Sequence, residues 1–380
     1  MKATFRVIAW SLLLVFALTA FAAANDNVIR IGVLAATTGP NATYGRSLNS
    51  GAQLAVEEIN AAGGVAGYTF ELVSEDSQHE PAAATTAAQR MIYGHKVDVI
   101  LGDAASTNVF AIEPLVQREG IINIAMGSAT RLTQRENPNP WLVRVREYDL
   151  LTARVMVNYL VDILGIEKIG ILHMTEQFGV GGRDDIVASL AERGMKPVAI
   201  EAHNPGDRDL TGQLLNMRRA GVEAIVSFSA VPEMALLCRQ ARQLIPNAKL
   251  VLSSVGATKG FLDIAGEHAN GALSVAAYSE HNDDPKVQEF ISNFEKRYGE
   301  RPFDFFVALA YDSVYLLAEA VEKAGTNDRK AIRAAFDQIQ GYPGATGLSY
   351  YLTPDGQALH ELFVVEIQDA KPIVLEKVQG

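Results

Sequence analysis

The sequence predicts an α/β protein built from two halves, each with a central and mainly parallel sheet. Short, continuous apolar runs alternate with segments of helical periodicity, which is typical of parallel strands covered by helices on both faces. This alternation breaks at 135–141, RENPNPW, and then restarts. The length of 380 residues also exceeds what one hydrophobic core usually holds, so two domains are expected.

In the first half, the apolar run at 28–35 predicts the buried strand that opens the sheet. Apolar residues then recur at helical spacing from Leu48 to Ile59, and Gly63 follows where that helix should end. Pro81 suits the first turn of the next helix. The other predicted strands are 70–74, 97–101 and 121–124, and the other helices are 81–93 and 108–118.

In the second half, the same pattern predicts four helices and four strands. The helices are 150–164, 182–193, 209–219 and 233–244, and the strands are 168–172, 197–200, 224–227 and 250–253. The last third predicts helices at 287–294, 306–321 and 329–336, and strands at 348–352, 362–367 and 373–375. Too few elements remain for a third domain, so they should complete the first two. The chain must then cross between the halves more than once.

Residues 1–24 are predicted to be a secretory signal peptide. Lys2 and Arg6 precede the apolar run 7–20, and small residues then offer cleavage sites near Ala22 or Ala24. The alternative is an uncleaved membrane anchor. Because the sequence has no second apolar run of membrane-spanning length, we expect an exported protein of the bacterial periplasm.

The composition opposes several classes of function. A formal net charge of −11 argues against a nucleic-acid partner, which requires clustered lysine and arginine. The single Cys238 can form neither an internal disulfide nor a cysteine-based zinc site. The sequence contains no phosphate loop, dinucleotide fingerprint, nucleophile elbow or paired-histidine metal motif. We therefore expect a protein that is not an enzyme and that uses no cofactor and no metal.

Polar loops follow several predicted strands, where α/β sheets place their ligands. These loops contain Tyr44, Ser106, Thr107, Ser128, Thr130 and Phe178. Ser106 or Thr107 can cap the following helix, whose free N–H groups attract an anion. Together with neighbouring hydroxyls, they would hold a carboxylate without a formal cation. The alternative is that Ser106 is only a cap, that the other hydroxyls face water, and that Tyr44 and Phe178 are ordinary loop or core aromatics.

With these loops in view, the sequence resembles the branched-chain amino-acid-binding (leucine-binding protein) family of periplasmic solute-binding proteins, which serve ABC importers. The matching segments are IRIGVLAATTGPNATYGRSLNSGAQLAVEEINAAGGVAG, LGDAAST, EGIINIAMGSATRLT, ILHMTEQFG and PEMALLCRQAR. The resemblance implies two Rossmann-like lobes joined by three crossovers, the type I periplasmic-binding fold, with a ligand cleft that closes by hinge bending. The implied lobes are 25–147 plus 279–347, and 148–278 plus 348–380.

The resemblance also implies roles for individual residues. Ser106 stands where the family uses a serine on the ligand carboxylate. The segment GSAT suggests Ser128 and Thr130 as further ligand contacts, and Phe178 replaces a tyrosine that is common in amino-acid binders.

One position departs from the family pattern. Val255 stands where amino-acid binders place the acid that receives the ligand ammonium. An ammonium buried beside valine would be left unpaired, which is costly. We therefore expect a ligand with a carboxylate, an apolar or aromatic body and no α-amino group. The alternative is that Asp149 or Glu176 replaces the missing acid.

The predicted function is that of the periplasmic component of an ABC importer, which captures a small carboxylate by closing around it. The ligand would be an amino acid or, given Val255, an aromatic or aliphatic acid. The expected partners are this ligand and a membrane permease, and the protein should be a monomer that binds no nucleic acid. The alternatives are a ligand-sensing module for a signalling or regulatory partner and, less directly, an exported enzyme.

Overall fold

The computed structural model describes residues 27–378 except 279, 281, 303 and 360. The predicted signal peptide therefore lies outside the described residues. Within the described part of the chain, no helix has the length and apolar character needed to cross a membrane.

Strands and helices are numbered here in chain order. The helices are α1 (Ala42–Ala61), α2 (Pro81–Gln89), α3 (Ser106–Glu119), α4 (Asp149–Asn158), α5 (Gln177–Ala191), α6 (Thr211–Arg219), α7 (Val231–Leu244), α8 (Lys259–Ala265), α9 (Pro285–Tyr298), α10 (Phe305–Ala324) and α11 (Arg329–Phe336). The strands are β1 (Val28–Ala35), β2 (Thr69–Asp76), β3 (Val99–Gly102), β4 (Ile122–Ala125), β5 (Leu142–Arg144), β6 (Ile169–Met174), β7 (Ala199–His203), β8 (Ala224–Phe228), β9 (Lys249–Leu252), β10 (Leu273–Ala276), β11 (Gln340–Pro343), β12 (Ser349–Leu352), β13 (Ala358–Leu359), β14 (Leu362–Gln368) and β15 (Lys371–Val378).

The first sheet has the strand order β2-β1-β3-β4-β5, and every pairing in it is parallel. Helix α10, from the last third of the chain, packs against α1 on this sheet. Their close approach depends on Gly51, because a Cβ there would lie 2.1 Å from the carbonyl oxygen of Val307. The last third therefore completes the first half, as the sequence predicts.

The second sheet has the order β15-β14-β10-β9-β8-β6-β7. Strands β6 to β10 pair in parallel, whereas β14 and β15 join as antiparallel strands at one edge. A small antiparallel sheet, β11-β12-β13, lies between α11 and β14 in the chain. The predicted α/β class with mainly parallel sheets in two lobes is thus confirmed, whereas the residue boundaries of the lobes remain a prediction.

Four short strands are not predicted from the sequence, namely β5, β10, β11 and β13. The predicted start of α5 is residue 182, whereas the helix begins at Gln177. Phe178 consequently belongs to the first turn of a helix and not to a loop. Glycines at positions 179, 181 and 182 lower the helix propensity of this turn, and tertiary packing overrides it. A Cβ on Gly182 would lie 2.2 Å from the Phe228 ring, so this glycine lets α5 approach β8.

Candidate functional site

Segments that follow β3, β4, β6, β8 and β9 surround one cavity, hereafter the inner cavity, between the two sheets. This is where open α/β sheets place ligands, at the carboxyl ends of their strands. The inner cavity, together with the solvent space at its opening, contains about 430 Å³ that protein atoms leave unoccupied. Its lining residues are Tyr44, His79, Ala104, Ala105, Ser106, Thr107, Ser128, Arg146, Met174, Glu176, Phe178, Ala230, Val255 and Phe306.

Six of the seven residues predicted for the site line this cavity, and Thr130 does not. The Thr130 hydroxyl instead donates to Asp185 Oδ2 at 2.6 Å and accepts from the main-chain N–H of Leu150 at 2.8 Å. Asp185 belongs to α5, which packs on the second sheet. Thr130 therefore links the two halves beside the cavity, and its expected contact with the ligand remains a prediction.

Ser106 is the first residue of α3 and is not its N-cap, so the predicted cap is corrected. The N-cap residue is Ala105, whose N–H donates to Asp103 Oδ1 at 2.8 Å. Ser106 is buried, and its hydroxyl oxygen accepts from the Ala129 N–H at 3.1 Å. A Cβ on Gly127 would lie 2.9 Å from Ser106 Cα, so glycine is what allows these two loops to touch.

The loops around Ser106 present several donors to an anion. Because the Ser106 oxygen already accepts from Ala129, its O–H remains available to donate to a ligand. Thr107 lies in the same first turn of α3, where main-chain N–H groups carry partial positive charge. Ser128 is buried beside them, and its carbonyl oxygen accepts from the Asp149 N–H at 2.9 Å.

Arg146 supplies a formal cation to the inner cavity, which the sequence argument did not expect. It is only 2% exposed, and its guanidinium donates to Met126 O at 3.0 Å, to Glu147 Oε1 at 2.6 Å and to Ser254 Oγ at 2.7 Å. Its Nε is buried and has no hydrogen-bond partner among the described residues. An anionic ligand in this cavity would therefore meet a fixed positive charge.

The Arg146 guanidinium is also held by aromatic rings. Its central carbon lies 5.4 Å from the centre of the Phe305 ring and 5.2 Å from that of Phe306. Such cation–π contacts fix the plane of the guanidinium. The sequence signal was present in VRVREY after the chain break, where two arginines interrupt an apolar run. Arginine is almost never fully buried without a partner, so such a position points to an ion pair or a ligand.

The two acids that could replace a missing ammonium receptor differ in position. Glu176 lines the inner cavity, whereas Asp149 does not. Burial is the largest effect on the pKa of Glu176 and raises it. Burial raises the pKa of Asp149 to about 7, with Arg146 acting in the opposite direction. Asp149 therefore carries only part of a negative charge near neutral pH.

Apolar side chains form the other walls of the inner cavity. The Tyr44 ring meets Phe306 edge-on at 5.2 Å between ring centres, and His79 stacks on Tyr44 at 5.8 Å. The Phe178 ring packs at 5.4 Å against Phe228. Val255 lies in a short 3-10 turn and is buried. The walls suit a flat or branched apolar body.

The described residues contain no group of three or more His, Cys, Asp or Glu side chains that could hold a metal ion. The candidate site combines a cleft, the buried guanidinium of Arg146, the hydroxyls of Ser106 and Ser128, and aromatic walls. A family model described as periplasmic binding protein matches residues 28–372. The chain belongs to the periplasmic binding protein family. Membership places this binding protein in the periplasm, as the sequence predicts.

Three relatives show how far the similarity extends. A leucine-, isoleucine-, valine-, threonine- and alanine-binding protein of Pseudomonas aeruginosa is 28% identical over 310 residues, which cover 81% of this chain and 82% of the relative. A leucine-binding protein structure from Thermotoga maritima has a TM-score of 0.85 at 26% identity and covers 92% of this chain and 99% of its own. A branched-chain amino acid transporter substrate binding protein from Streptococcus pneumoniae was solved with isoleucine. It has a TM-score of 0.83 at 26% identity, and the match covers 93% of this chain and 100% of that protein.

These findings confirm the resemblance to the branched-chain amino-acid-binding proteins and the type I periplasmic-binding fold. They also confirm the predicted function class, a solute-binding protein of the transporter type. They favour this class over a sensing module, because the relatives named above are binding and transporter proteins.

Proposed function

We propose that this periplasmic binding protein captures a small carboxylate without an α-amino group and delivers it to the permease of an ABC importer. The observation that carries the proposal is the buried Arg146 guanidinium in the inner cavity, beside the hydroxyls of Ser106 and Ser128. The ligand carboxylate would accept hydrogen bonds from these groups and from the first turn of α3.

A carboxylate suits this set of donors. Ser106 keeps a free O–H, and hydrogen bonds from charged donors contribute more than neutral ones. Glu147 already balances the charge of Arg146, so affinity would come from directed donors and not from a large excess of positive charge.

The absence of an α-amino group follows from the opposite wall. Val255 is 7% exposed and offers no acceptor from its side chain. Tyr44, Phe178 and Phe306 surround the same space with ring carbons. An α-ammonium placed against Val255 would lose its hydration without a partner on that wall, whereas a benzene ring or an alkyl chain would gain contact area.

Several further properties belong to the proposal. The signal peptide would be cleaved near Ala22 or Ala24, and the mature protein would act as a monomer without catalytic activity. The lobes would comprise 25–147 plus 279–347 and 148–278 plus 348–380. The first boundary is supported by β5, which ends at Arg144 in the first sheet, and the chain rejoins the second sheet at β14, which begins at Leu362.

Isothermal titration calorimetry of the refolded, ligand-free protein tests this function. We expect benzoate or hexanoate to bind at least about tenfold more tightly than leucine, since each tenfold step corresponds to about 1.4 kcal/mol. Native mass spectrometry of protein purified without unfolding should detect a retained acid. Tight leucine binding with no response to acids that lack the α-amino group would overturn the proposal.

A further inference from the structure

The inner cavity opens into a second and wider space at the mouth of the cleft, hereafter the outer chamber. The two spaces share His79, Met174, Glu176 and Ala230 among their lining residues. The outer chamber contains about 1290 Å³ unoccupied by protein atoms, compared with about 430 Å³ in the inner cavity. The two spaces therefore adjoin at these four residues, and the outer chamber is the neighbouring space for a ligand held at Arg146.

The outer chamber offers acceptors where the inner cavity offers donors. Glu233 is buried at 5% exposure, lines the outer chamber and accepts from the Gly206 N–H at 2.7 Å. Asn41 Oδ1 and His79 Nδ1 are buried atoms without a hydrogen-bond partner in the part of the chain described. In the Nε2-protonated tautomer, His79 Nδ1 accepts a hydrogen bond. The arginines of this chamber, Arg208 and Arg239, are both exposed to solvent.

Electrostatics at the junction of the two spaces favours a positive group. Burial is the largest effect on the Glu176 pKa and raises it; Glu80 and Glu233 act in the same direction, whereas His79 and the hydrogen bond with Thr107 act in the opposite direction. A cation at the junction would relieve this repulsion between like charges. Val255 offers no acid on its wall of the inner cavity, whereas Glu176 lies where the two spaces adjoin.

We propose that the ligand is an ω-amino carboxylate, whose carboxylate lies at Arg146 and whose terminal amine lies between His79 and Glu176. This inference rests on the proposed function, because it takes the carboxylate end and the absent α-amino group from it. The ligand class is defined by two charged ends separated by an apolar spacer, which the aromatic walls of the inner cavity contact.

Calorimetry with matched acids tests the inference on the ligand-free protein. The series runs from 4-aminobutanoate to 8-aminooctanoate, and each member is compared with the unsubstituted acid of equal length. The isomer 2-aminohexanoate serves as the α-amino control for 6-aminohexanoate. We expect at least one ω-amino acid to bind about tenfold or more tightly than both its unsubstituted counterpart and an α-amino isomer.

Glu176→Gln should reduce that gain to about threefold or less, and the readout is the ratio of the affinities of the ω-amino acid and the unsubstituted acid within each variant. Glu192→Gln is the matched control, because Glu192 is exposed just beyond α5 and pairs with Arg154 away from the cleft. If unsubstituted acids bind and no ω-amino member gains affinity, the inference is overturned and the proposed function stands. If no acid lacking an α-amino group binds, both are overturned.

Discussion

The sharpest perturbation of the site is the removal of the Arg146 cation, because it separates the contribution of this residue to folding from its contribution to binding. In the single variant Arg146→Gln, Glu147 would keep a charge that is 1% exposed and has lost its guanidinium partner. In the double variant Arg146→Gln with Glu147→Gln, both charges disappear together. The two variants therefore differ in stability but share the loss of the cation.

The structure sets the expected magnitudes. Breaking a buried ion pair from one side costs about 3–5 kcal/mol in unfolding free energy, a large part of the total for most domains. The double variant removes both charges of the pair, so its loss should be about 1–3 kcal/mol, from the hydrogen bonds to Met126 and Ser254. Hydrogen bonds from a charged donor contribute about 1.5–3 kcal/mol each, so both variants should bind benzoate roughly 10–150-fold more weakly.

Urea denaturation measures the stability of each variant, and calorimetry with benzoate measures its affinity. Arg154→Gln is the control, since Arg154 is an exposed arginine paired with Glu192 outside the cleft. A folded double variant that binds benzoate as tightly as the parent protein would refute the role assigned to Arg146. A single variant as stable as the double variant would refute the argument about the buried charge.

Three further predictions use other parts of the site. Ser106→Ala should lower the unfolding free energy by about 1–3 kcal/mol, because the Ala129 N–H loses its acceptor. The same variant should bind a carboxylate at least several-fold more weakly, and an unchanged affinity in calorimetry would leave Ser106 a purely structural role. The folded-state pKa of Asp149 is raised to about 7, so the stability that its protonation contributes is fully present below pH 4 and is lost as the pH rises through 7. The unfolding free energies measured in urea at pH 5 and pH 8 should therefore differ less for Asp149→Asn than for the parent protein, and an equal difference would contradict this. Thr130→Val should weaken ligand binding about 2–10-fold, because the closed protein loses the hydrogen bond from Thr130 to Asp185. Small-angle scattering of this variant should show a more open protein, and a scattering profile identical to that of the parent would contradict a role of this hydrogen bond in closure.

The central parallel strands β3, β4, β6 and β8 could be predicted because they are buried on both faces and are therefore largely apolar. Strand β5 escaped prediction because it has three residues and ends in Arg144, whose guanidinium is fully buried. That arginine donates to Gln357 Oε1 at 2.6 Å and to Ala129 O at 2.7 Å. Gln357 is distant in sequence, so local patterns carry no trace of the pairing.

The candidate site was predictable where its residues sit on loops after strands, since strand order alone brings those loops together. Ser106, Ser128 and Val255 come into one cavity for this reason. Thr130 begins one turn of 3-10 helix, and its hydroxyl donates to Asp185 on α5 instead of lining the cavity. The local sequence around Thr130 indicates neither the 3-10 turn nor the hydrogen-bond partner, Asp185 on α5.

The net charge of the chain and the charge of Arg146 act on an anionic ligand at different distances. The chain has a formal net charge of −11, which at long range repels an anion. Screening at physiological ionic strength limits that repulsion to about 8 Å, whereas a ligand in the cavity meets Arg146 at contact distance in a region that excludes most water. The acidic surface would therefore slow the approach of an anion without setting its affinity. An ω-amino carboxylate has no net charge, so it would escape even that penalty, and this agrees with a ligand whose amine lies at the acidic junction of the two spaces.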